Sequence, residues 1–409
     1  MDKLIGITGI IFILFISYLF SNNKKIINIR LVLTGIFLQC ALGVFILKLP
    51  LGKTIFEFLA KIVTAILQIS KEGADFVFGI LANEKLLLDK FPNQGSFIFA
   101  VQIPPTIIFV CALVSALYYF GILQVINKYF ALIFNKLLNV SGAEALANCI
   151  VPFVGQVQSA IVIEPYLLKL TKSEILTIMT GGMACISGAF LAIYSSFGIK
   201  IEYLLAGSFM AIPGSFVISK IFYPEDKKPI TKDTVKIDFK AQEKNLVESI
   251  LDGAYTGAKI SIGVIAMLLA FISLVALVDR LLIIINPVLS LKAILGYLFT
   301  PLIYLLGVPK EEVNIVSSLF GTKIALNEFI AYMDMAKIIT ENTLSIRSTA
   351  ILTVILCGFA NFSSIAIQVG GLSQMAPERK SDFAECGFKS MICGALVSCI
   401  SGCIVGIIV

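Results

Sequence analysis

The sequence predicts an all-α integral membrane protein with about eight transmembrane helices, two re-entrant helical hairpins, interfacial helices, and an inverted repeat built on broken helices. Three observations predict it. Hydrophobic residues make up 58% of the 409 residues and charged residues 14%. Soluble domains run at roughly 45–50% and about 25%, and a soluble chain of this length could not hide so much apolar surface. Several apolar runs approach or exceed the roughly 17–25 residues that a helix needs to cross a bilayer. Finally, two stretches put glycine and polar side chains where lipid normally forbids them, at matching places in the two halves. The first is Gly155-Gln156-Val157-Gln158, followed by Gly181-Gly182-Met183-Ala184-Cys185-Ile186-Ser187-Gly188. The second is Asn327-Glu328-Phe329, followed by Cys357-Gly358-Phe359-Ala360-Asn361-Phe362-Ser363-Ser364.

The first span runs from Leu4 to Phe20. A secretory signal is disfavoured there, because its n-region holds one Lys and one Asp and no small-residue cleavage site follows, only Ser21-Asn22-Asn23-Lys24-Lys25. Spans follow near 31–47 and 103–120. Between them, 53–82 is apolar but carries Lys53, Glu57, Lys61, Lys71, Glu72 and Asp75, and reads as amphipathic helices at the interface or between subunits. Five further spans lie near 173–197, 203–222, 260–285, 349–370 and 388–408.

Lys and Arg in the short loops give the orientation. Lys24, Lys25 and Arg30 follow the first span; Lys227, Lys228, Lys232, Lys236, Lys240 and Lys244 occupy the polar linker 224–244; Arg379, Lys380 and Lys389 mark the last loop. With eight crossings these loops share one side, the cytoplasmic side of a cell inner membrane, and both termini face outward. The net charge of +6 is therefore a topology signal. Acidic residues nearly balance the linker, leaving no concentrated basic patch for nucleic acid.

The chain has nine Cys and no His. No CxxC pair indicates zinc or a redox couple, and isolated cysteines in apolar surroundings behave as small hydrophobes. Without His, the commonest general base and metal ligand are missing, so an enzyme is disfavoured and no cofactor is expected.

The chain divides into scaffold spans and interfacial helices (1–142), a first repeat of hairpin, broken helix and helix (143–222), a cytoplasmic polar linker (223–247), a scaffold span with connecting helices (248–307), and a second repeat of the same order (308–409). Broken backbone at membrane depth is tolerated only where it is buried in protein or lines a watery cavity. Paired breaks in corresponding halves point to a secondary transporter with a midplane site in an inverted-repeat transport domain. Its solute is small and polar. Glu328 carries most of this reading, since a carboxylate at membrane depth costs about 2.5–3.5 kcal/mol and needs a partner or a task. Lys323, one turn earlier, is a candidate partner; the alternative task is to accept hydrogen bonds from a hydroxylated ligand such as a sugar, with Asn361, Ser363 and Ser364 nearby. Gln156 and Gln158 offer amides that match the donor and acceptor edges of a nucleobase. Phe359 and Phe362 flank Asn361 and are candidates to stack on a planar ligand.

At these residues the chain resembles the concentrative nucleoside transporter family, in its short eight-span bacterial form. The resemblance rests on Gly358-Phe359-Ala360-Asn361-Phe362-Ser363-Ser364-Ile365 with Gly370-Gly371 and Ala376-Pro377 after it, on Asn327-Glu328-Phe329, on Gly155-Gln156, on Met179-Thr180-Gly181-Gly182 with Ser187-Gly188, and on Pro213…Ser219-Lys220…Pro224-Glu225. It covers about the whole chain. It implies a homotrimeric scaffold around three independent units that carry nucleosides such as uridine by alternating access, usually by ion symport. Residue matching puts the ribose-contacting positions on Glu328, Asn361 and Ser364, with Phe359 against the ligand, and the base-contacting positions on Gln156, Val157 and Gln158.

Two departures from the family pattern alter the expectation. The first hairpin of the family reads Gly-Gln-Thr-Glu or Gly-Gln-Ser-Glu; here Val157 and Gln158 remove a hydroxyl and a carboxylate, so base preference should change. Sodium-coupled members have an Asn where Val151 stands and a Ser where Cys185 stands, leaving backbone carbonyls near Val154 and Ile186 as ligands for a hard cation. Coupling to protons through Glu328 is then favoured over sodium. The alternatives are a facilitative transporter of a related solute (a nucleobase or nucleotide) and a non-transporting nucleoside receptor on the same fold.

Overall fold

The computed structural model describes residues 2–90, 98–232, 245–287, 289–341 and 343–409, and the regular structure among them is entirely helical. Lys236, Lys240 and Lys244 of the polar linker lie outside the described residues.

The chain opens with α1 (Asp2–Leu19) and α2 (Ile29–Leu47), the latter started by Asn28, whose side chain accepts the Leu31 N–H. The charged segment predicted as several amphipathic helices is one continuous helix, α3 (Pro50–Phe78), 29 residues long with Pro50 at its first position. Its length is about 43 Å at 1.5 Å per residue. After α4 (Pro104–Tyr119) and α5 (Ile122–Leu138) comes the first hairpin arm, α6 (Gly142–Val154). Ser141 and Glu144 form a capping box at its start. The first residues of the linker complete that cap: the Thr231 carbonyl accepts the Gly142 N–H at 2.8 Å, and Thr231 Oγ1 accepts the Ala143 N–H at 3.1 Å. The returning arm is not a regular helix. It is a four-residue turn, Gln158–Ile161, then a 3-10 segment, Glu164–Lys169, in which Pro165 has no N–H to continue an α-helix.

The first broken helix is α7 (Lys172–Ala184) and α8 (Gly188–Ser196), followed by α9 (Ile201–Phe222). The next helix, α10 (Leu246–Ile285), runs for 40 residues and starts 14 residues before the predicted span at 260. Asp252, Tyr255 and Lys259 hide its beginning from hydropathy, but the Asn245 side chain caps it by accepting the Glu248 N–H. Then come α11 (Leu291–Leu305), the second hairpin α12 (Val313–Ala325) and α13 (Glu328–Thr340), the second broken helix α14 (Ile346–Leu356) and α15 (Phe362–Met375), and the final α16 (Lys380–Ile408).

Burial separates a core from a periphery. The apolar stretch of α9 is 94% buried while that of α10 is 11% buried, and the α7–α8 and α16 stretches side with α9. Helices α7, α9, α14 and α16 pack on one another; α10 packs on α4 and turns Ile262, Leu269, Ile284 and Ile285 outward. Six helical segments among the described residues are long and apolar enough to cross a membrane. At the end of α9, Lys220 joins three elements of the first repeat. Its ammonium lies 2.8 Å from Glu144 and 3.3 Å from Glu225, and donates to Ser173 at 3.0 Å. A buried lysine so far from water requires such partners.

Candidate functional site

Each repeat brings a hairpin tip against a helix break. At the first tip Gly155 has φ +106°, a conformation that glycine alone adopts without strain. At the second break Gly358 has φ +135°, and a Cβ there would lie 2.7 Å from the Ala184 carbonyl oxygen. The two breaks therefore cross in contact, backbone to backbone.

Asparagines start the second arm of the second hairpin, α13, and the second half of the broken helix, α15. Asn327 Oδ1 accepts the Ile330 N–H at 2.9 Å. Asn361 Oδ1 accepts the Ser364 N–H at 2.8 Å and the Ser363 hydroxyl at 2.7 Å. The positive ends of α13 and α15 thus meet beside Glu328. Glu328 is 4% exposed. The Tyr194 hydroxyl donates to its Oε1 at 3.1 Å, and Asn361 Nδ2 donates to its Oε2 at 2.9 Å. The carboxylate is thereby held from both repeats. Lys323 is not its partner: the Lys323 ammonium donates to the Ile355 carbonyl at 2.7 Å.

These groups border a cavity of about 1050 Å³ lined by Gln156, Val157, Gln158, Glu328, Phe359, Asn361 and Ser364, with Val154 at its edge. All seven residues expected around a ligand therefore share one space. Cys185 and Ile186 do not line it; both are buried within the first break itself, where Cys185 Sγ donates to the Ile186 carbonyl at 3.2 Å. Phe359 packs edge-on against Phe190 at 5.1 Å. Phe362 turns away, 52% exposed and stacked on Phe388. The far wall belongs to α4 and α10, including Tyr118, Asp252 and Lys259.

Sequence reasoning missed Tyr194, although a tyrosine inside a membrane helix needs a partner for its hydroxyl. It also missed what Asn327 has left over. Its Nδ2 is buried without a partner among the described residues, as are the acceptors Gln156 Oε1 and Gln368 Oε1. Asn327 and Gln156 both belong to the residues that line the cavity.

Crossed helix breaks around a polar cavity, with a buried carboxylate held between two repeats, define a multi-pass membrane transporter. The comparisons with known proteins agree. The profile of the Na+ dependent nucleoside transporter C-terminus matches residues 203–406, that of its N-terminus residues 8–81, and that of a nucleoside recognition gate residues 100–200. The nucleoside permease NupC of Helicobacter pylori is 36% identical over 100% of this chain and 98% of its own length. The uncharacterized transporter YutK of Bacillus subtilis is 39% identical over the full length of both. The solved structure of CNTnw in an inward-facing substrate-bound state superposes with a TM-score of 0.93 at 37% identity, covering 100% of this chain and 98% of CNTnw. The chain belongs to the concentrative nucleoside transporter family.

Proposed function

We propose that this protein is a secondary active transporter that carries nucleosides across the cytoplasmic membrane by alternating access. The observation that carries the reading is Glu328, a buried carboxylate oriented by Tyr194 and Asn361 and facing a cavity. Ribose hydroxyls donate to such a carboxylate and accept from the Asn327 and Asn361 amides, with Ser364 completing that side. Gln156 and Gln158 pair with base edges beside Val157, and Phe359 supplies the aromatic face. The solved CNTnw structures include inward-facing and outward-facing states, which supports the alternation.

The transport unit, 143–222 with 308–409, moves against the scaffold 1–142 and 248–307, joined by the linker 223–247. The cavity extends to Tyr118, Asp252 and Gln374, at the end of the molecule where α4 and α15 finish and α10 begins. That is also the end of the Lys-rich linker, so the opening faces the cytoplasm by the positive-inside rule. On the other side Phe329 is wedged between Phe99 at 4.8 Å and Phe197 at 5.5 Å. This supports an inward-open state; the eight-span form with termini outside rests on the charges of the short loops, and the homotrimer rests on the family resemblance.

The coupling ion we assign is the proton. Val151 and Cys185 supply no oxygen ligand for sodium, and the Ile186 carbonyl already accepts from Cys185. The test is uptake of radiolabelled uridine, adenosine and guanosine into proteoliposomes under separately imposed proton and sodium gradients. Saturable uptake driven by protons alone is expected. Uptake driven by sodium at fixed pH would overturn the coupling, and uptake of none of the three would overturn the substrate class.

A further inference from the structure

Lys323 is fully buried on α12 and lies outside the cavity lining. It forms no ion pair among the described residues. Its ammonium donates to the Ile355 carbonyl at 2.7 Å and lies 5.9 Å from the centre of the Phe320 ring, itself fixed edge-on against Phe299 at 5.0 Å. Ile355 belongs to the last turn of α14, where the Cys357 N–H serves the Thr353 and Val354 carbonyls and Ile355 lies nearer the negative end of the helix dipole. Other side chains complete the same job. Tyr332 donates to the Thr353 carbonyl at 2.7 Å, and Ser398 donates to the Cys357 carbonyl at 3.1 Å. The second break thus carries its own donors, one of them a full positive charge. The first repeat lacks that charge: Val151 stands four residues before Gly155, as Lys323 stands four residues before Asn327.

We propose that Lys323 is a positioning residue that acts as a resident cation of the second broken helix. Its ammonium holds the carbonyl end of α14, fixes the Cys357–Ala360 crossing, and so lets Asn361 hold Glu328 in the ligand-accepting orientation. It sets ligand affinity without touching the ligand. The link to ligand affinity rests on the nucleoside site proposed above; the link to the break does not.

The test compares purified wild-type protein with K323M, K323A and K323R, reading thermal stability without ligand and uridine affinity, in ammonium chloride or choline chloride at equal ionic strength. Wild type is indifferent to the choice of salt. K323M, which keeps length and loses charge, binds uridine roughly ten- to hundredfold more weakly, as removal of a charge-assisted hydrogen bond predicts, and no salt restores it. K323A loses both stability and affinity and regains them in ammonium but not in choline, because only the small cation fits the vacated space. K323R stays folded. K323M with wild-type stability and affinity, or K323A indifferent to ammonium, would overturn the role. Should the neutral variants fail to purify, recovery of K323A only in ammonium supports it, and loss in both salts overturns it. Ammonium-dependent stability in K323A, with no uridine binding by wild type, would uphold the role of Lys323 and overturn the ligand reading.

Discussion

Substitution of Glu328 by Gln is the most direct test of the ribose reading, and the structure sets its size. Both carboxylate oxygens are acceptors, from Tyr194 and from Asn361. A Gln side chain must turn its NH₂ toward one of these donors. Asn361 cannot yield, because its Oδ1 is committed to the Ser364 N–H and the Ser363 hydroxyl. The Tyr194 hydroxyl can rotate to accept, so E328Q folds with its amide oxygen toward Asn361 and its NH₂ toward Tyr194. What it loses is the charge on the oxygens facing the ligand. A hydrogen bond to a charged group contributes about 1.5–3 kcal/mol and a neutral one about 0.5–1.5. Each ribose hydroxyl bound there therefore loses about 1–1.5 kcal/mol, roughly tenfold in affinity. The assay is a cycle: uridine and its 2′,3′-dideoxy analogue, each bound to wild type and to E328Q. Wild type discriminates strongly against the analogue, since its buried acceptors are left unpaired. E328Q discriminates at least tenfold less. Equal discrimination by the two proteins would show that the ribose hydroxyls lie elsewhere and refute the reasoning.

Three further outcomes follow from the geometry. G358A puts a Cβ at 2.7 Å from the Ala184 carbonyl in a backbone conformation at φ +135°; strain of about 1–3 kcal/mol should lower thermal stability in detergent and abolish uptake. K220M leaves Glu144, 2.8 Å away, buried without its charge partner, a loss of about 3–5 kcal/mol; thermal stability should fall while relative preference among nucleosides in any surviving protein is unchanged. V157T returns a hydroxyl to the base side of the cavity and should shift the ratio of uridine to adenosine affinity by up to about tenfold, the value of one neutral hydrogen bond, measured by competition for binding.

The parts of the structure legible in the sequence were those in which composition conflicts with the membrane. Gly155, Gly358, Glu328 and Asn361 stand out because lipid would reject them, and each proves to sit at a tip, a break or the cavity. Hydropathy misjudged α10 for the same reason in reverse: Asp252 and Lys259 are charged but belong to a continuous helix whose cap is Asn245. Lys323, the candidate partner for Glu328 one turn before Asn327, points across to another helix. Tyr194, 134 residues distant, makes the contact instead. Sequence spacing reports neighbours on one helix; it says little about which of two crossing helices a long side chain reaches.

The two donors to Glu328 come from different repeats, and this bears on how binding and movement are joined. Tyr194 sits on α8, beyond the first break, and Asn361 starts α15, beyond the second. Tyr194 is also stacked on Tyr332 at 4.2 Å, and Tyr332 closes the Thr353 carbonyl of α14. Hairpin and both broken helices therefore share one hydrogen-bonded unit centred on the carboxylate. Against α4 its contact is apolar, Ala189 and Ala192 of α8 packing on Val110. Sliding the unit against the scaffold leaves Glu328, Tyr194 and Asn361 in register with one another. It exchanges aromatic contacts at the rim, such as Phe329 on Phe99, and a few polar ones, such as Gln39 donating to Ser401 and Lys292 beside Asp334. The polar groups around Glu328, costly to uncouple in a low-dielectric site, are kept inside the moving body. A ligand held at Glu328 can then cross with its hydrogen bonds intact.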